Sequence, residues 1–182
     1  MEKTNDNIPT GFKSNPSSWE KRKALLFLAV AGFFVALYLG LYELKVFETV
    51  WEPFFGNGTQ NVLKSSFSKS LPIPDGILGA FGYLCDVILV SIGNESRWYA
   101  SPWIVILYFL LVVLMALVSI FLIILQAFIV DAWCTLCLLS AVLSFSMVYP
   151  ALTEFRATMH YLRHQKKAGK TWYKPLKENK RL

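Results

Sequence analysis

The sequence predicts an all-α integral membrane protein, a four-transmembrane-helix bundle with a long outer first connection. Three observations predict it. The hydrophobic share is 55%, above the roughly 45 to 50% usual for soluble domains. That excess is gathered into four blocks of the chain. Lysine and arginine, finally, crowd the two chain ends.

Each block is weighed against the about 20 apolar residues that a helix needs to cross the hydrocarbon core, with a usual range of roughly 17 to 25. Residues 24–41 are uncharged, and residues 77–92 are interrupted by Asp86 alone. Residues 102–130 carry only Ser119 and Gln126 as polar exceptions besides tyrosine, and residues 132–152 form the last block. The second block is the shortest fit. The first is expected to remain as an anchor, because 23 mostly polar residues precede it and no small-residue cleavage site follows it.

Five Lys/Arg precede Ala24 and nine follow Leu152, whereas the connection between the first two spans holds only Lys45, Lys64 and Lys69 against Glu43, Glu48, Glu52 and Asp75. Basic residues near span ends mark the cytoplasmic side. Both termini are therefore expected in the cytoplasm, and an even number of spans agrees. The net charge of +6 reads as a topology signal, with attraction to anionic membrane lipid as a second effect. Nucleic acid is the poorer reading. The expected divisions are a polar cytoplasmic segment over 1–23, a four-helix membrane domain over 24–153 and a basic cytoplasmic tail over 154–182. The first 20 or so residues are expected to be disordered, and the tail from about Arg163 to be solvated.

The connection from Tyr42 to Asp75 places Trp51, Phe54 and Phe55 beside a turn-prone Gly56-Asn57-Gly58. A short amphipathic helix is expected over residues 61–67, lying on the bundle mouth. Pro72 and Pro74 bracket Ile73, and Asp75 is placed to start the second span.

Cys134-Thr135-Leu136-Cys137 opens the last block. Two thiols three residues apart on a helix share a face and can close into a disulfide, which points to redox chemistry. Asp131 stands where a helix N-cap is expected, putting Cys134 in the first turn, with Cys137 about 4.5 Å deeper at 1.5 Å per residue. The outer thiol is then placed for a protein partner and the inner one for a lipid-soluble acceptor. The competing reading is two buried cysteines packing as small hydrophobes. A metal site is the poorer reading, since structural zinc wants four nitrogen or sulfur ligands. The remaining cysteine, Cys85, lies mid-span and reads as packing.

Asp86 is an ionisable group within a span, which marks a functional candidate. Asp75, Gly79, Gly82 and Asp86 recur at spacings of four, three and four and share one face, suited to close helix packing or to a planar ligand. The alternative is that Asp86 is satisfied by a serine or tyrosine of a neighbouring span and fixes bundle register. Trp98, Trp103 and Trp133 fit interfacial belts.

Four spans, cytoplasmic termini, a long outer connection and Trp-Cys-Thr-Leu-Cys-Leu at the opening of the last span together resemble the vitamin K epoxide reductase family. The likeness covers roughly residues 24–152. Residues 62–66 resemble the family segment just after its second relay cysteine, and residues 74–79 the start of its second span. The resemblance implies Cys134 and Cys137 as the catalytic pair, a quinone (menaquinone or ubiquinone) as electron acceptor and a thioredoxin-like protein as thiol partner. Candidate quinone contacts are Asp75, Gly79, Gly82, Asp86 and Ser65. One departure is large: no cysteine lies between Tyr42 and Asp75. Thr59 stands about where the second relay cysteine is expected, and Trp51 or Glu52 near the first.

The expected activity is that of a membrane thiol:quinone oxidoreductase in a cell inner membrane, an endoplasmic reticulum membrane being compatible with the same orientation. The alternative, kept open by the missing relay pair, is a non-catalytic membrane binding or assembly subunit of the same fold.

Overall fold

A computed structural model describes residues 15–56, 58–63 and 74–167. The expected disorder before Asn15, the later part of the expected amphipathic helix, Ser65 and the tail beyond Lys167 lie outside the described residues.

Every regular element among the described residues is helical: α1 Trp19–Glu43, α2 Gly58–Leu63, α3 Asp75–Ser91, α4 Arg97–Ala100, α5 Pro102–Leu125 and α6 Thr135–Lys167, with a single π-helical turn, Gln126–Val130, between the last two. By length and composition α1, α5 with its π turn, and α6 are long and apolar enough to cross a membrane. The fourth expected span, α3, has 17 residues, or about 25 Å of helix against a hydrocarbon core of about 30 Å. At the other extreme α6 runs far past the apolar block that opens it, through Pro150 and the basic residues that follow.

The four long helices close into a ring, α1 packing on α3 and α6, and α5 on α6 and more sparingly on α3. The α1–α3 crossing is the closest because α1 presents a buried stripe of Ala29, Gly32, Ala36 and Gly40. A Cβ on Gly76 would strike the backbone of Gly40, so glycine at this crossing lets two backbones touch, as small residues do between membrane helices.

The two ends of the bundle are fastened differently. At one end the buried Arg22 guanidinium donates to the carbonyls of Val90, Ile92 (3.0 Å) and Gly93 (2.7 Å), satisfying groups that the last turn of α3 leaves open. Beside it Arg97 donates to both carboxylate oxygens of Glu154, at 2.7 and 2.6 Å, with both side chains buried. Trp98 stands edge-on to Tyr99 and Tyr161. Only 1% of its surface is exposed, which corrects its expected place in an interfacial belt: α4 folds Trp98 inward onto α6. Trp103 and Trp133 are both exposed.

At the other end Glu43 closes α1 and accepts the Gly76 N–H of α3 at 3.0 Å. Asp75 does start α3, its own carboxylate accepting the same N–H at 2.9 Å. The cysteine pair lies at this second end.

Candidate functional site

The π turn that follows α5 widens the helix by one residue, and such turns recur at functional sites. Asp131 ends it in the left-handed region at φ 49°, a conformation that Asp tolerates better than most residues. This corrects its expected role as the N-cap of the last helix, which begins only at Thr135. Cys134 occupies that position instead. Its sulfur accepts the N–H of Cys137 at 3.1 Å and its carbonyl accepts the N–H of Leu138 at 3.0 Å, so the Cys134 sulfur does the capping that an aspartate oxygen was expected to do.

The two cysteines stand at disulfide distance, with Cα atoms 5.2 Å apart. Their surroundings differ. Cys134 is fully buried in an apolar cluster with Leu39, Tyr42, Val62, Leu63 and Leu136, and its N–H is donated to the side-chain oxygen of Gln126 at 3.2 Å. Cys137 forms part of the wall of a cavity of about 340 Å³, shared with Ala36, Asp75, Gly79, Gln126 and Ser140. Leu78, Val118 and Phe121 line the same cavity while standing exposed on the outside of the bundle. The cavity therefore opens sideways between α3 and α5, toward the surface that faces lipid in a membrane.

The structure divides the face of α3 read from spacing. Asp75 and Gly79 line the cavity with Cys137, while Gly82 and Asp86 are not among its walls. Gly82 lies against the Met115 side chain. Asp86 is buried and inward, yet its Oδ1, like the hydroxyl of the buried Tyr108, has no hydrogen-bond partner among the described residues. It is about 16 Å from Asp75 along the helix. Tyr83, three residues before Asp86, bonds its hydroxyl to the Ser140 carbonyl and to Ser144 Oγ, each at 2.7 Å. Cys85 is a free, partly buried thiol.

Two residues at this site carry more than sequence reasoning assigned them. Gln126 stood out as one of two polar exceptions in the third apolar block, and that exception is explained by its bond to Cys134. Glu52 gave no local signal. Its carboxylate accepts the N–H of Thr59 at 3.1 Å, of Phe55 at 3.4 Å and of Thr135 at 3.4 Å, and also the hydroxyls of Thr59 and Thr135. The connection between α1 and α3 is thereby tied to the residue next to Cys134.

The sequence model of the vitamin K epoxide reductase family matches residues 23–152. The chain belongs to that family. The match spans the membrane helices and the cysteine pair, so the protein is a multi-pass membrane protein of a thiol–quinone oxidoreductase family. A comparison with curated proteins gave no match. By the family resemblance Thr59 stands about where the second loop cysteine is expected and Trp51 or Glu52 near the first, and of these Glu52 is bonded to Thr59.

The cavity fits the quinone that the family uses. Its volume lies within the range of about 300 to 1,000 Å³ common for small-molecule sites. Among the described residues its walls are mostly apolar, with polar groups from Asp75, Ser119, Gln126 and Ser140 beside the Cys137 sulfur. An apolar wall with a few convergent polar groups and a lateral opening suits a flat, oxygen-bearing ring carrying a lipid tail.

Proposed function

We propose that this chain is a membrane thiol:quinone oxidoreductase in which Cys134 exchanges disulfides with a thioredoxin-like protein and Cys137 faces the quinone. The observation that carries the reading is the sorting of the two sulfurs. Cys137 borders the laterally open cavity, while Cys134 lies beneath the outer connection.

A bound quinone, menaquinone or ubiquinone, supplies a two-electron, two-proton acceptor. Asp75, Ser140 and Gln126 offer the polar contacts that orient such a ring, and Gly79 leaves it room. Gln126 holds the Cys134 backbone, and with it the first turn that sets the spacing of the sulfurs. In this reading both termini are cytoplasmic, the dithiol end faces outward from a cell inner membrane, and the basic end of α6 meets anionic lipid headgroups.

The second reading, a binding or assembly subunit, draws on two facts: the outer connection has no cysteine, and Cys134 is fully buried. Replacing the resolving thiol separates the two. Cys137→Ala is expected to leave Cys134 holding a mixed disulfide with a thioredoxin-like protein, trapped by acid quenching and identified by mass spectrometry. No adduct, together with unchanged quinone reduction in Cys134→Ala and Cys137→Ala, would leave the assembly reading standing.

A further inference from the structure

The outer connection is seated on the dithiol and does more than pass near it. Gly58 approaches so closely that a Cβ there would collide with the Trp133 carbonyl oxygen. Val62 and Leu63 of α2 complete the apolar cluster that buries Cys134 and Leu136. A single carboxylate, that of Glu52, fastens this arrangement by accepting from Thr59 at the start of α2 and from Thr135 at the start of α6.

We propose that Glu52 is the positioning residue of the dithiol: its carboxylate latches the outer connection over Cys134 and, by lying on the first turn of α6, biases the pair toward the disulfide. This rests on the thiol-exchange reading above. The open N–H groups at a helix start favour an anion, and a thiolate on Cys134 would draw on them. Glu52 already takes the N–H of Thr135, the residue adjacent to Cys134. Its negative charge also disfavours a second anion beside it. A disulfide is neutral and escapes that repulsion, so the carboxylate raises the free energy of the ionised reduced state alone. In the reverse sense, removing the charge eases reduction. The pair then accepts two electrons and two protons from a reference dithiol, which leaves as its own disulfide.

The test uses the full chain purified in detergent and equilibrated with dithiothreitol buffers at about pH 8, where thiolates are populated. The reduced fraction is read by alkylation and mass shift. Glu52→Gln keeps an acceptor oxygen and the side-chain shape while deleting the charge. It is expected to move the equilibrium at least threefold toward the dithiol, with Glu52→Asp staying near wild type. Thr135→Val keeps the charge but loosens the latch. It is expected to move the equilibrium less than Glu52→Gln does, while a bulky thiol reagent reacts with reduced Cys134 at least fivefold faster. A Glu52→Gln equilibrium equal to wild type, or moved toward the disulfide, overturns the Glu52 proposal and leaves thiol exchange standing. A pair that no dithiol buffer reduces, in any variant, overturns both.

Discussion

Asp86 poses the sharpest question at the scale of single residues. A buried polar atom without a partner costs about 1 to 3 kcal/mol, and both Asp86 Oδ1 and the Tyr108 hydroxyl are in that position. A carboxyl that only fixed bundle register would be expected to hold its neighbours by hydrogen bonds, and Asp86 Oδ1 holds none among the described residues. Intramembrane ionisable groups that persist without such pairing are typical of functional pathways. Asp86→Leu is therefore expected to keep or raise the thermal stability of the purified protein while lowering quinone reduction several-fold, with Cys85→Ala changing neither. A drop in melting temperature with unchanged turnover would assign Asp86 to structure.

Helices and turns carry the next set of consequences. The end of the bundle away from the dithiol is held by Arg97, which bonds Glu154 on α6 and also donates to the Leu89 carbonyl at 2.8 Å. Removing one partner of a buried pair leaves the other charge uncompensated, at about 3 to 5 kcal/mol. Arg97→Ala is expected to destabilise the protein by that amount in denaturant titration. Replacing Glu154 by Leu together with Arg97 by Met should recover much of the loss. A loss below about 1 kcal/mol for the single change would mean that the pair is solvated rather than buried.

The same scale explains what could be read from the sequence. The apolar blocks, the start of α3 at Asp75 and the pairing of Cys134 with Cys137 follow from local spacing, which periodicity and span length capture. The cap at the last helix did not, because a π turn and a left-handed Asp131 shift the helix start by a few residues, and neither has a composition signature. Trp98 was misassigned for a related reason: a four-residue helix, Arg97–Ala100, redirects it inward. Glu52 stayed hidden because its bond to Thr135 joins positions 83 residues apart, a contact that no local pattern encodes.

For the whole molecule, the fold sets one polarity. One end carries the Arg22, Arg97 and Glu154 cluster with the start of α1 and the later turns of α6, and the opposite end carries the cavity, the cysteine pair and the outer connection. The orientation proposed above puts the first end in the cytoplasm. Reporter fusions at residue 10, within the 55–60 region and at residue 175 are expected to give cytoplasmic, external and cytoplasmic signals respectively. An external signal at either terminus would reverse the assignment and put the dithiol on the wrong side for an extracytoplasmic thiol partner.

Electron passage from a thiol partner through Cys134 and Cys137 to a quinone, as proposed, is read from the in-cell redox state of the pair. Cells with and without quinone synthesis are quenched in acid, their free thiols are alkylated, and the Cys134–Cys137 peptide is weighed by mass spectrometry. With quinone present the pair is expected to be largely disulfide, and without quinone it should accumulate as the dithiol, with Cys85 alkylated in both. A pair whose oxidation state is the same under both conditions would rule out quinone as its electron acceptor.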